Sequence, residues 1–348
     1  MHKLSIDAMV HKNKQTSAAY NVVAKIICTI IPIKCSQRNN AKWNIRDFFH
    51  GITAMCNGNS YAESAMNELA IKSNFSSPCG KWIRNAIRSV NSETMLLGLS
   101  DGMDSTISHL RKLGMFRIPI TVAIDKHFIP RYDKTDNDPY LVKSKSKNST
   151  TLFEGYGTIQ CVEESCRAQI GATPIRYGDS KGIIVRKLIN DCIRNNIQTR
   201  LILLDREFFS TAVIHQIKQN QQKFLMPARK TPGIKNAIEQ FVSGDRESIS
   251  QYTIRSASKH VESFTLVILP NPNVTKPSIT DQYVVFATNV PMNKIFWNLH
   301  TLPEEYRKRW GIETGYACVG RFRPRTTSKN HAMRFMCFFA PSFCLMFG

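Results

Sequence analysis

The chain has 348 residues, with 47 Lys and Arg against 26 Asp and Glu, a formal net charge of +21 and 42% hydrophobic residues. That length accommodates two domains, or one core carrying a large insertion, and can bury a sizeable core. The basic excess draws the chain toward a polyanion through counterion release, which puts nucleic acid first and a ribosomal or membrane-surface role behind it. Ten scattered cysteines and no recognisable signal peptide point to thiols in a reducing cytoplasm. Cys161 and Cys166 lack a second ligand pair at zinc spacing and are discounted as a metal site. The apolar runs 22–33 and 333–347 are broken by Lys25, Pro32, Arg334 and Pro341 and fall short of the ~20 residues of a membrane span, so no membrane association is expected.

Residues 1–50 carry eight Lys and Arg against two Asp. From Trp43 to about Phe116 the pattern predicts several short helices. "NSYAESAMNELAIK" and "DSTISHLRKLG" each open on a capping Asn or Asp and space apolar residues three and four apart. Residues 1–116 are therefore expected to form a small, basic, helical N-terminal domain, read as a DNA-binding module with a simple helical cap as the competing reading.

After Arg117 the texture changes. "IPITVAID" is a β-branched run ending on an acid, as a buried central strand does. Strands follow at "GTIQCVE" and "QIGATPIRY", then a helix over 181–196, a continuous apolar strand "RLILLD", a helix over 208–219 and the strand "KFLMPAR". The order strand, strand, strand, helix, strand, helix, strand predicts an α/β sheet and excludes simple doubly wound alternation. From 230 to about 289 the reading is mainly β, an insertion, and the chain returns to helix over 303–314, marked by Thr301, Pro303, Glu304 and Glu305.

Asp125 and Asp205 close the two most apolar strands, where an α/β sheet presents side chains to a ligand crevice. Two such carboxylates suit divalent cations in phosphoryl transfer, since hard cations prefer oxygen ligands. An Asp closing a strand is also a common turn former or helix cap, and a glycosidase would use two carboxylates as well. In "YRKRWGIET", Tyr306, Arg309 and Glu313 lie three and four residues apart and form one helical stripe. Arg309 can there orient the Glu313 carboxylate or contact a phosphate, against the plainer reading of a local ion pair on an exposed helix.

"AIDKHFIP", "LLDREFF" and "YRKRWGIET…RFRPRTTSKN" resemble the three acidic motifs of DDE transposases of the insertion-sequence-four superfamily, in particular archaeal-type members. That family's Y-x2-R-x3-E-x6-K signature is matched at Tyr306, Arg309 and Glu313, and the resemblance covers roughly 118–330. It implies an RNase H-like core within 117–348, interrupted by the β-rich insertion, with Asp125, Asp205 and Glu313 as catalytic residues holding two Mg²⁺ or Mn²⁺ ions. The implied activity is cleavage and strand transfer at the terminal inverted repeats of an insertion sequence. Its implied partners are double-stranded end and target DNA, bound by a homodimer in the nucleoid-associated cytoplasm.

In that setting Tyr306, Arg309 and Arg321 are expected to hold the DNA end, and Arg323, Arg325, Lys329 and Arg206 to contact phosphates. His127 is more readily a structural neighbour than a ligand, and Trp297 and Trp310 more readily core than base-stacking. The signature's Lys falls on Gly320, with Arg321 next, and Pro341 is expected to interrupt the last helix. These departures keep an alternative open: a catalytically decayed or domesticated transposase acting only as a DNA-binding protein.

Overall fold

A computed structural model describes residues 33, 42–73, 77–132, 138–164, 166–272, 278–292 and 301–345. Trp297 and most of the basic stretch 1–50 lie outside the described residues. The chain divides into two compact units, one of residues 116–314 and one that joins 1–115 to 315–348. Residues 315–348, assigned from sequence to the catalytic domain, thus cluster with the N-terminal helices.

In the helical unit, α1 (Ile45–Asn57), α2 (Ala62–Lys72), α3 (Gly80–Arg88) and α4 (Ser92–Lys112) precede the last helix of the chain. A capping box opens α1: the Asn44 side chain accepts from the Arg46 and Asp47 N–H groups while Asp47 accepts from the Asn44 N–H. Helix α2 departs from expectation, because Tyr61 stands at its cap and makes no side-chain cap bond. Burial of Ala62, Ala65 and Met66 anchors it instead. Helix α4 starts at Asn91 rather than Asp104, since Met95, Leu99, Met103, Ile107 and Leu110 form one buried stripe. Gly98 and Gly102, poor helix formers, hid its first half.

The second unit holds one nine-stranded sheet. Strands β1 (Ile120–Arg131), β2 (Leu141–Lys147), β3 (Thr150–Cys161) and β4 (Gln169–Pro174) come first, followed by α5 (Lys181–Arg194) and β5 (Thr199–Leu204). Then follow α6 (Thr211–Gln219), β6 (Phe224–Pro227), α7 (Pro232–Val242), β7 (Ile249–Arg255), β8 (Val261–Pro270) and β9 (Tyr283–Thr288). The sheet order is β2-β3-β1-β5-β6-β9-β8-β7, with β4 also on β3. Strand β1 is antiparallel to β3 and parallel to β5, β5 is parallel to β6, and β9, β8 and β7 continue the sheet antiparallel. This is the expected α/β, RNase H-like core extended by a β-rich segment.

Two elements in this unit were not read from sequence. Strand β2, "LVKSKSK", pairs among the described residues with β3 alone and carries exposed Lys143, Lys145 and Lys147, an edge strand too polar to show apolar alternation. Helix α7 lies in the region expected to be mainly β; Thr231 caps it, Pro232 starts it, and Ile234, Ala237 and Ile238 are its buried stripe. The helix expected over 181–196 is α5, which buries Ile184, Val185, Leu188, Ile189 and Cys192 and leaves Ile193 exposed. It approaches β3 closely at Gly157, where an added Cβ would stand 2.5 Å from Ile184 Cγ2.

The chain ends in α8 (Leu302–Arg307), α9 (Trp310–Arg321) and α10 (His331–Leu345). Helix α10 belongs to the helical unit and is buried from Ala332 to Phe343. Apart from Arg334 and Ser342 its buried residues are apolar, because it is the core against which α1, α3 and α4 pack. Pro341 does not interrupt it. A proline in a helix interior costs about 3 kcal/mol, which burial of a whole aromatic-rich helix outweighs. Among the described residues no helix is long and apolar enough to cross a membrane.

Candidate active site

The site begins with strand register. In the parallel β1–β5 ladder Ile124 pairs with Leu204, so Asp125 and Asp205 are the next positions on neighbouring strands. Residues matched in a parallel ladder face the same side of the sheet, on strands ~4.8 Å apart. Asp205 keeps an extended backbone, φ −74° and ψ 158°, one residue past β5. Asp125, by contrast, is not a strand end: β1 continues to Arg131 because β3 pairs with it over that whole length. What ends at the acids is the β1–β5 ladder. Each carboxylate is held the same way, Asp125 Oδ1 accepting from the Lys126 N–H at 2.7 Å and Asp205 Oδ1 from the Arg206 N–H at 2.6 Å.

The third acid arrives on α9. Tyr306, Arg309 and Glu313 do not share one continuous helix, because α8 ends at Arg307 and α9 begins at Trp310. The N–H groups of Arg309, Gly311 and Ile312 donate to carbonyls three residues back, a tight turn in place of a helical one. Gly311 allows that turn to approach the end of β3, since an added Cβ would sit 3.2 Å from Val162 Cβ. The side chains meet all the same. Arg309 Nη2 donates to Glu313 Oε1 at 2.6 Å, and its Nη1 stands 3.4 Å from Asp125 Oδ2. Tyr306 packs its ring edgewise on Phe286 of β9.

Charge in this cluster is out of balance. Burial pushes the Asp125 carboxyl up to about 6; the Lys126 N–H and Arg309 oppose that rise, and the charges of Asp205 and Glu313 add to it. Burial likewise pushes the Tyr306 hydroxyl up to about 12, so it stays a proton donor. Arg309 is buried, and its Nε has no acceptor among the described residues. Asp205 Oδ2 and Glu313 Oε2 accept no hydrogen bond among the described residues. Three mutually repelling carboxylates, two of them with an unengaged oxygen, are a donor set that suits a hard divalent cation. No soft ligand is needed.

Two residues beside the acids escaped the sequence reading. Lys126 Nζ pairs with Glu207 Oε2 at 2.7 Å, joining the residue after Asp125 to the second residue after Asp205. Arg206 is exposed on the turn that follows Asp205, and His127 lies on the same strand face as Asp125 by the two-residue alternation of β1. Trp310 is 63% exposed, so the expectation that it is core does not hold.

Arg321, Arg323, Arg325 and Lys329 belong to the helical unit. There Asn59 Nδ2 donates to the carbonyls of Gly320 and Arg321, and Arg325 Nε donates to Asn59 Oδ1, fixing the segment that leaves α9. Arg325 and Lys329 line a pocket of about 500 Å³ together with Arg84, Arg88 and Thr327. Arg84 and Arg88, one turn apart on α3 beside buried Ile83 and Ile87, were missed; their i, i+4 spacing is the signal that could have found them. Four cations around one concavity suit phosphate oxygens.

A family model described as Transposase DDE domain matches residues 121–341, a span that contains all three acids. No curated protein matches the chain.

Proposed function

The chain belongs to the DDE transposase family, and from that premise we propose that it cleaves and rejoins DNA at insertion-sequence ends with a site made of Asp125, Asp205 and Glu313. The observation that supports these residues is the Ile124–Leu204 register, which sets two carboxylates side by side, together with Arg309, which reaches both Asp125 and Glu313. The superfamily is that of insertion sequence four, on the Tyr306, Arg309 and Glu313 spacing. Two Mg²⁺ or Mn²⁺ ions are the cofactors, and a homodimer bound to terminal inverted repeats and target DNA in the nucleoid is the working assembly.

Asp125, Asp205 and Glu313 would hold the ions, which supply activation of a water or 3′-hydroxyl and stabilisation of the leaving oxygen in an in-line displacement. Arg309 orients two of the carboxylates and offers its buried Nε–H to a phosphate oxygen. Tyr306, protonated at all working pH values, donates to the same strand. Arg206, Arg321, Arg323, Arg325 and Lys329, joined by Arg84 and Arg88, hold the backbone without reading sequence.

The test is Mg²⁺-dependent cleavage of DNA carrying the inverted repeats that flank the gene, with Asp205→Asn as control. Cleavage by the wild-type chain alone is the expected result. Cleavage no greater than in the control, with DNA binding retained, removes the enzyme reading and leaves the DNA-binding alternative.

A further inference from the structure

The strand β8 carries a charged residue where its alternation calls for an apolar one. Glu262, Phe264, Leu266 and Ile268 are all buried, and Glu262 alone of them is polar. A buried carboxylate needs compensation. Lys218 Nζ on α6 supplies part of it, 2.8 Å from Glu262 Oε2. The other oxygen, Oε1, faces two imidazoles: His215 Nδ1 of α6 at 2.8 Å and His260 Nε2, from the turn joining β7 to β8, at 3.7 Å. The second distance is too long for a hydrogen bond.

From these residues we propose a zinc site formed by His215, His260 and Glu262. One donor atom from each lies within 4.8 Å of the others. Donors on a tetrahedral zinc with ~2.0–2.1 Å bonds stand ~3.3 Å apart, so small side-chain rotations close the shell. Two imidazoles and one carboxylate favour Zn²⁺ over Mg²⁺, which prefers all-oxygen shells. Lys218 does not compete for the ion, because it holds Oε2 and leaves Oε1 to the metal, orienting the ligand from outside. Both imidazoles line an open pocket with Thr211, Ser256 and Ser258, which leaves room for a water as fourth ligand. The ion ties the β7–β8 turn to α6. Its ligands span 215–262, too far apart in sequence for a spacing rule to flag.

The test uses the full chain stripped with EDTA, titrated with Zn²⁺ against a chromophoric chelator, beside His260→Gln and His215→Gln. His260 is half-exposed in a turn, and equal far-ultraviolet dichroism and equal zinc-free melting temperature establish that its variant is folded. The wild-type chain is expected to take up one zinc equivalent more than either variant, and Zn²⁺ to raise its melting temperature by more than it raises theirs, whereas Mg²⁺, bound at the carboxylates of the catalytic site, shifts all three chains alike. Zinc held by the cysteines persists in the variants. Equal stoichiometry and equal thermal response in all three chains would overturn the assignment.

Discussion

Replacing Asp125 by Asn should make the metal-free protein more stable at neutral pH while abolishing cleavage. The folded state raises this carboxyl from an ordinary 3.8 to about 6. A shift of that size corresponds to about 3 kcal/mol of penalty on the ionised form, and the side chain is only 20% exposed, so little of it is screened. Asn keeps the shape and the acceptor for the Lys126 N–H, and gives up only the long 3.4 Å contact with Arg309. The net gain is then about 1–3 kcal/mol. The sign follows from proton binding: between pH ~4 and ~6 the folded chain holds a proton that the unfolded chain has lost, so wild-type stability falls as pH rises through that window. The penalty is full above about pH 6 and absent below about pH 4, whereas Asn does not titrate. Urea denaturation of both proteins in EDTA at pH 8 and pH 4 measures it. The variant should lead at pH 8 and the gap should close at pH 4; no lead at pH 8, or a gap independent of pH, refutes the electrostatic account.

Gly320→Lys restores the signature's basic residue at a position where an added Cβ meets nothing within 4 Å. Binding to the element's end should tighten and its log–log salt dependence steepen by ~0.9, and an unchanged slope in a fluorescence-anisotropy titration counts against a phosphate contact there. Arg88→Ala should weaken binding to all DNA sequences alike and flatten the same slope by a similar amount, whereas a sequence-dependent loss would mean that the pocket beside Arg325 reads bases. Gly157→Ala should destabilise the protein by about 1–3 kcal/mol through collision with Ile184 Cγ2, and Ile184→Ala, which removes that methyl, should cost less in the Gly157→Ala chain than in the wild type in denaturant unfolding.

Strands β1 and β5 were legible because burial on both faces demands continuous apolar residues, and acids that break such runs stand out. Their register was not legible, since nothing local to either strand encodes that Ile124 meets Leu204. The spacing of Tyr306, Arg309 and Glu313 was read from a continuous helix, yet the side chains converge across a tight turn. A turn of i→i+3 bonds displaces residues too little to part side chains as long as Arg and Glu. Misreadings arose where tertiary packing outweighs local preference. Pro341 lies within a helix because that helix is a core, and Gly98 and Gly102 lie within α4 for the same reason. Strand β2 and the Arg84–Arg88 pair were missed because polar residues carry a weaker periodic signal than apolar ones.

The acid cluster sits in a chain of net charge +21, yet among the described residues one buried cation, Arg309, pairs with it. When ionised, three carboxylates and Arg309 leave the cluster at −2. One divalent ion would bring it to neutrality and a second to +2, a surplus that a phosphodiester gathering negative charge in its transition state can use. A second buried arginine would remove that requirement for metal and leave no vacant oxygen to bind it. Arg309 is therefore best understood as a partial counterion. It holds Asp125 and Glu313 near their working positions while leaving the site short of the charge that a divalent metal carries.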